Sequence, residues 1–540
     1  MDKRKKIHVY QYIAGVLLAV YVIMAAALLV QAADLDMFPF LYLIIIAAVF
    51  LILGVAFFLM HRKLTTSIIA DVLSLIMIFF CGAGAYYIRQ TTDALADVTT
   101  MGEQTDVFSV YVMKDDPAEK LEDIKGYEIG VVGNVGGEAP DNADEMDLHG
   151  SDNARARDTD GAGGQGADNA DFQGTDDTKT QEGNNPDADN TAKTVVRLED
   201  TLDSTLDISG YGDMFALMDA LRAGQIGAVI LNEAYVGIIS EREGYEWVAT
   251  DIRQLTAVEH VTKPDIQPIV PEVLPETFIM YLSGIDTYGG VSARSRSDVN
   301  ILAIVNTKTK NVLLLSTPRD YYVSFNAIGG ARDKLTHAGI YGVDASIDAL
   351  EQLYGIQVDY YLRLNFSGFI DIIDALGGIE VYSDYDFTVT PIRTYQKGIN
   401  QLSGLEALAF ARERYSFPEG DFQRAKNQME VIRAVIQKCA SSSMLVNYAS
   451  VMEAVSGSFE TSMTQEQIAS LVKMQLSDMA QWNVTSYTVD GHSTYAETFS
   501  MPGTELYVIE PDYATVETAK EMIREIYGDE ERYGDESGSE

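Results

Sequence analysis

Two stretches without a charged residue, 9–30 and 38–60, constrain this chain more than anything else in it. Each reaches the roughly 20 apolar residues that a helix needs to cross a hydrocarbon core. A shorter run over 72–88 follows, so three membrane helices are expected within residues 1–90. Long uncharged runs divided by a short loop do not suit the interior of a soluble domain. A cleavable leader is the alternative for the first run, with Val30-Gln-Ala32 as a loose cleavage site, but the run exceeds a typical signal core. Lys3, Arg4, Lys5 and Lys6 precede the first run, Asp34 and Asp36 lie in the first loop, and Arg62 and Lys63 lie in the second. The positive-inside rule therefore puts the N-terminus in the cytoplasm. A multi-pass protein of the cell membrane, with everything after Arg89 outside the cytoplasm, is the expectation.

The chain as a whole is acidic. Lys and Arg total 39 against 80 Asp and Glu, a net charge of -41. Such a field repels a phosphate backbone and argues against nucleic acid as a partner, so any anion site has to be a local basic cluster. The two cysteines, Cys81 and Cys439, offer neither a disulfide framework nor a thiolate metal site. Nothing in the sequence sets an oligomeric state.

At 540 residues the chain needs more than one core. Short β-rich runs alternating with a helix over 213–223 suggest a small α/β accessory domain at 105–260. It is interrupted at 138–193 by a segment with no Val or Ile and one Phe, Phe172, which cannot bury enough apolar surface to offset its ordering entropy and is expected to be disordered. Pro264, Pro268, Pro271 and Pro275 mark a linker at 261–276. A second α/β domain is expected at 277–527, ahead of an acidic tail at 528–540. Its strands are predicted at 278–283, 300–306, 312–316, 358–364 and 484–489, with helices at 343–354, 366–376, 404–413, 421–438 and 513–526. That alternation implies a central sheet covered by helices.

The arginines of this last domain gather in a few places. Gly284-Ile-Asp286 follows one predicted strand, and Arg294, Arg296 and Asp298 precede the next. Two carboxylates converging there suit Mg2+, although such residues also form turns. Thr317-Pro318-Arg319-Asp320 ends a strand, and Pro318 breaks the pairing so that Arg319 stands at the carboxyl end, where open α/β sheets bind ligands. An arginine so placed also pairs with a surface carboxylate such as Asp320. Lys334 is a further cation with the same ordinary alternative. Ala411-Arg412-Glu413-Arg414 is followed by Asp421, Arg424 and Gln428, the last two spaced to share a helix face. Arg412 and Arg414 cannot share one, so a helix is expected to end near them. Arginine suits two phosphate oxygens in a planar fork, though Arg and Glu on a helix also describe a solvated face.

Taken in order, Gly284-Ile-Asp286, Arg296-Ser-Asp298, Ser316-Thr-Pro-Arg-Asp320, Asp359-Tyr-Tyr361, Asp374-Ala-Leu-Gly-Gly378, Ala411-Arg-Glu-Arg414 and Asp421-Phe-Gln-Arg424 through Gln428 resemble the LytR-CpsA-Psr family over about Thr277 to Lys438. Three spans followed by an accessory domain are similar to its capsule-associated branch. The resemblance implies a transferase that moves a capsular polysaccharide or teichoic acid type of glycan from a polyprenyl-pyrophosphate carrier to peptidoglycan. It implies Mg2+ at Asp286 and Asp298, a catalytic role for Asp286, Asp298 and Arg319, and a pyrophosphate held by Arg296, Arg319, Lys334, Arg412, Arg414, Arg424 and Gln428. The polyprenyl tail would lie in an apolar tunnel between sheet and helices. The sequence departs from the family pattern at Asn427, where Arg is common, and at Thr317, where Ile is common. A polyprenyl-phosphate-binding regulator without turnover and a lipid pyrophosphatase are the competing readings.

Overall fold

The computed structural model describes residues 3–61, 64–99, 104–133, 186–262, 273–285, 293–441 and 457–528, together with 271, 451, 452 and 454. Contacts divide it into two units, Phe108–Val258 and the remainder, Met1–Val107 with Glu259–Glu540.

The chain begins with α1 (Lys3–Asp34), α2 (Phe40–Met60) and α3 (Leu64–Val98). All three are long and apolar enough to cross a membrane, over Tyr12–Asp34, Phe40–Met60 and Thr66–Val98. Tyr21 closes the bundle by donating to the Phe50 carbonyl at 2.8 Å, and its ring meets Phe57 edge-on. Outward side chains such as Phe40, Leu51 and Phe79 are 70–74 % exposed, a surface that only a lipid phase solvates well. The third helix outruns its apolar core at both ends. Thr91 and Thr92 return their hydroxyls to the carbonyls of Tyr87 and Ile88, so polar residues continue the helix without an unmet group.

The smaller unit is a five-stranded sheet in the order β3-β2-β4-β1-β5, formed by β1 (Gln104–Met113), β2 (Glu128–Val132), β3 (Asp207–Tyr211), β4 (Ala228–Asn232) and β5 (Ile252–Thr262). Between β2 and β3 runs α4 (Pro186–Leu202). Its first turns correct the expected disordered insert, because residues 186–193 are helical; 138–185 lie outside the described residues. Pro186 and the acidic Asp187 and Asp189 suit a first turn, and Val195, Leu198 and Leu202 are buried. After β3, α5 (Met214–Arg222) is capped by Asp213, whose carboxylate accepts from the amides of Phe215 and Ala216 at 2.8 Å.

The larger unit is built on a six-stranded mixed sheet, order β10-β9-β6-β7-β8-β11, from β6 (Thr277–Ile285), β7 (Ser297–Asn306), β8 (Asn311–Ser316), β9 (Tyr360–Leu364), β10 (Phe459–Thr461) and β11 (Asn483–Thr488). The expected α/β architecture holds. The central strands read as nearly continuous apolar runs because both faces are covered. On one face, Tyr281, Leu302, Leu313 and Leu315 pack with α6 (Val343–Tyr354) and α11 (Tyr513–Tyr527). On the other, Ile301, Val312 and Leu314 meet Met429 of α9 (Asp421–Cys439). Beside α9 lie α7 (Phe366–Ala375) and α8 (Gly404–Arg412).

Two of the resembling motifs prove to be joints of this fold. Asp359 accepts the Ile279 amide, and Asp374 accepts the Gly404 amide at 2.6 Å. Gly377 and Gly378, at φ 75° and 80°, terminate α7 in the left-handed region. A Cβ on Gly404 would fall on the Ile370 carbonyl of α7. Gly404→Ala is therefore expected to lower stability by about 1–3 kcal/mol, read as a depressed thermal unfolding midpoint.

This unit is seated on its own N-terminal apolar helices. From α10 (Gln465–Asp478), Lys473 bonds Asp36 at 2.6 Å, and the Leu476 carbonyl accepts from Tyr42 at 3.0 Å. Met37 and Leu95 pack with Ala469, and Val98 packs with Leu376. The seat is thus the α1–α2 loop and the end of α3.

Candidate phosphate-binding site

Strand pairing brings the first charged pair together. β7 runs antiparallel to β8 with Ile301 opposite Ser316, so the residues before β7 and those after β8 share one end of the sheet. There Arg319 Nη1 donates to Asp298 Oδ1 at 2.7 Å, and its Nε lies 3.8 Å from Asp320. The carboxylate that Arg319 meets most closely is thus Asp298 rather than its neighbour. Thr317 is buried, and its hydroxyl is hydrogen-bonded to that of Tyr354 at 2.9 Å, which satisfies a polar group where Ile is common.

The next segment folds back over this end. The amides of Leu335 and Thr336 donate to the carbonyls of Tyr321 and Arg319 at 2.8 Å. Thr336 then donates its hydroxyl to Asp298 at 3.1 Å, and Lys334 Nζ sits 3.4 Å from Asp320 with its side chain only 5 % exposed. Beneath it, fully buried Asp333 accepts the amides of Lys334 and Ser500 and lies 2.7 Å from His337 Nδ1. Sequence reasoning passed over Thr336 as a partner of Asp298; the only signal was its place two residues after Lys334.

The remaining cations come from two helix ends. α8 stops at Arg412 because Glu413 is extended, with ψ 132°, which parts Arg412 from Arg414. Arg412 places its guanidinium 4.2 Å from the centre of the Phe366 ring. Arg414 bonds the Tyr415 hydroxyl and approaches Asp421 to 4.0 Å. On α9, Arg424 Nη2 meets Asp421 Oδ1 at 2.7 Å, and Gln428, half-buried, follows one turn later. Burial pushes the Arg424 pKa below its ordinary value; Asp421 and Asp298 oppose the shift, while Arg319 and Arg414 add to it. Arg424 is thus held by Asp421 and lies within electrostatic reach of the Asp298–Arg319 pair. Asn427 points elsewhere. It is buried, accepts from Gln423 at 3.0 Å and donates to the Phe410 carbonyl, so it joins α9 to α8 rather than facing the cations.

Arg296, half-buried, directly precedes β7, whereas Asp286 lies outside the described residues. Among the described residues, no three His, Cys, Asp or Glu side chains gather as a closed metal cage would require. The site is consequently a cluster of guanidinium and ammonium groups at one end of the sheet, one of them desolvated against its own kind. A multiply charged anion relieves that repulsion, and planar forks favour phosphate oxygens.

Residues 255–516 match the LytR_cpsA_psr family. The chain is 36% identical over 219 residues to the polyisoprenyl-teichoic acid–peptidoglycan teichoic acid transferase TagU of Bacillus cereus, covering 40% of this chain and 70% of that protein. This chain belongs to the LytR_cpsA_psr family. The TagU of Bacillus mycoides is 35% identical over the same length, again with 40% and 70% coverage. The crystal structure of Bacillus subtilis TagU aligns with 27% identity over 47% of this chain and 98% of that one, at a TM-score of 0.37. The family match thus begins before the linker, ahead of the first resembling motif.

Proposed function

We propose that this LytR_cpsA_psr member is an extracytoplasmic transferase that moves a glycan polymer, of teichoic acid or capsular polysaccharide type, from a polyprenyl-pyrophosphate carrier to peptidoglycan. The observation that supports it is a pair of ion-paired groups, Arg319 with Asp298 and Arg424 and Arg414 with Asp421, within electrostatic reach of each other. Phosphoryl transfer asks a protein for positioning and charge neutralisation more than for covalent chemistry, and this cluster supplies both. A hydroxyl of the wall polymer attacks the glycan-bearing phosphorus. The new P–O bond forms as the bond to polyprenyl phosphate breaks; the hydroxyl's proton ends on the departing polyprenyl phosphate. Arg319, Arg424 and Arg414 hold the pyrophosphate oxygens, with Arg296, Lys334, Arg412 and Gln428 completing the surround. Asp298, already accepting from Arg319 and Thr336, orients that arginine rather than acting as a base.

Mg2+ suits this donor set, because it binds through one or two carboxylates together with water and phosphate oxygens. Asp298 and Asp286 would hold it, and it would neutralise charge on the bridging phosphates. Treating the full chain with EDTA is expected to lower turnover by at least about tenfold, with recovery on adding Mg2+ and not on adding Na+.

For the carrier's tail, Met280, Leu282 and Val299 on the sheet and Ile432 and Ile436 on α9 are partly buried and pack against one apolar cluster. They support an apolar lining for an isoprenoid chain. A groove of about 760 Å³ beside α9 mixes charged Glu380, Lys426, Glu430 and Arg433 with apolar Ile399, Met429 and Ala434. The catalytic unit sits at the α1–α2 loop, the end of the bundle that the charge pattern assigns to the exterior, which supports the outward orientation.

The decisive experiment incubates the full chain in detergent with a polyprenyl-pyrophosphate glycan, Mg2+ and nascent peptidoglycan. Glycan covalently joined to the wall polymer, with release of polyprenyl phosphate, is the expected result. An intact carrier would favour a binding regulator, and glycan phosphate released to water would favour a pyrophosphatase; either overturns the proposal.

A further inference from the structure

The segment that leads into Arg296 and Asp298 is pinned by residues with no part in phosphate binding. Ala293 lies against Thr105 in a short parallel bridge, and the Arg294 amide donates to the Thr105 carbonyl at 2.9 Å. The Arg294 side chain turns to the same strand. Its Nε donates to Gln104 Oε1 at 2.8 Å, and its Nη1 lies 3.5 Å from Asp106. Gln104 is in turn fastened to the start of α6 by donating to Asp344 Oδ1 at 3.1 Å. Gln104 and Asp106 are 3 % and 1 % exposed, so these bonds act where water does not compete. From the opposite side, buried Arg363 of β9 donates to the Ala293 carbonyl at 2.5 Å. Gly342 shows how closely the joint is fitted, since a Cβ there would approach the Gln104 amide nitrogen to 2.7 Å and collide with the Asp344 carboxylate.

We infer that Arg294 is a positioning residue for the phosphate site, and that Gln104–Asp106, the stretch beginning β1 shortly after α3, is the clamp that sets it. The Arg294 side chain is held by the clamp, through Nε to Gln104 and Nη1 against Asp106, and is assigned to positioning rather than to the pyrophosphate. It fixes the backbone from which Arg296 and Asp298 project. In-line transfer depends on such placement, because a displacement of about 1 Å can cost about a hundredfold in rate. The chain emerging from the membrane is thereby part of the frame of the site.

This inference rests on the transferase reading, and its test keeps the two apart. In the full chain in detergent, Arg294→Ala, Gln104→Ala and the double variant are compared with wild type for kcat and for the KM of the lipid-linked donor. Arg294→Ala is expected to lower kcat roughly ten- to a hundredfold while the donor KM changes by less than about threefold. Gln104→Ala moves kcat in the same direction, and the double variant is no worse than Arg294→Ala, since both break one joint. Thermal unfolding checks the fold; should Arg294→Ala fail to fold, the uncharged truncation Gln104→Ala carries the test. A kcat in Arg294→Ala close to wild type, or losses that multiply in the double variant, overturns the inference. Wild type without transfer would instead strike the function proposed above.

Discussion

Arg424→Ala keeps its fold and loses transfer by roughly 10²- to 10³-fold, the range found when one preorganised donor to a developing charge is removed. Its side chain is only 12 % exposed, is paired with Asp421 on its own helix, and feels the charges of Asp298, Arg319 and Arg414. A desolvated guanidinium with other cations nearby gains most when a multiply charged anion arrives. Lysine at this position keeps the charge and loses the fork, so Arg424→Lys is expected to recover only a small part of the rate. Measuring kcat/KM for the lipid-linked donor decides the matter; an alanine variant with near-normal kcat/KM removes Arg424 from the site. Lys193→Ala serves as the control. Its bond to Asp189 lies on the exposed face of α4, and such pairs contribute about 0–1 kcal/mol.

Asp298→Ala is the second large effect, expected at about 10²-fold or more in kcat/KM. It removes the acceptor shared by Arg319 and Thr336 and leaves the Arg319 guanidinium, 12 % exposed, without its nearest carboxylate. Arg319 is then free to swing toward Asp320, already 3.8 Å away and in contact with Lys334. Because the pair works as a unit, Asp298→Ala combined with Arg319→Ala should be little worse than either alone. Rates that fall independently and multiply would show that the two residues serve separate steps.

Much of this was legible in the sequence where a physical pattern was local. The central strands betrayed themselves by apolar runs, and α6, α8 and α9 by spacing and by what flanks them. Asp421 and Arg424 were readable as neighbours because helical spacing alone brings them together. The start of α4 was not legible, since Pro186 to Lys193 carry no apolar spacing and continue the composition of the Asp- and Asn-rich stretch before them. Helicity there follows from what packs later, through Val195, Leu198 and Leu202. Contacts made by the fold alone were hidden as well. Thr336 reaches Asp298 only because residues 334–336 fold back over the sheet's end, and Gln104 meets Arg294 only because the chain returns to the same place much later. Nor did the departure at Asn427 reveal its contacts: the side chain ties α9 to the Phe410 carbonyl of α8.

The seating of α10 on the α1–α2 loop and on the end of α3 has a kinetic consequence. A catalytic body on a slack tether would sweep a hemisphere and meet its lipid carrier by chance orientation. On the proposed placement of α1–α3 in a bilayer, one bolted to that anchor searches only by sliding in the plane of the bilayer, with its phosphate site at a constant height. Encounter with the carrier then scales with density per area of membrane rather than per volume. The acceptor polymer has to come within that fixed reach.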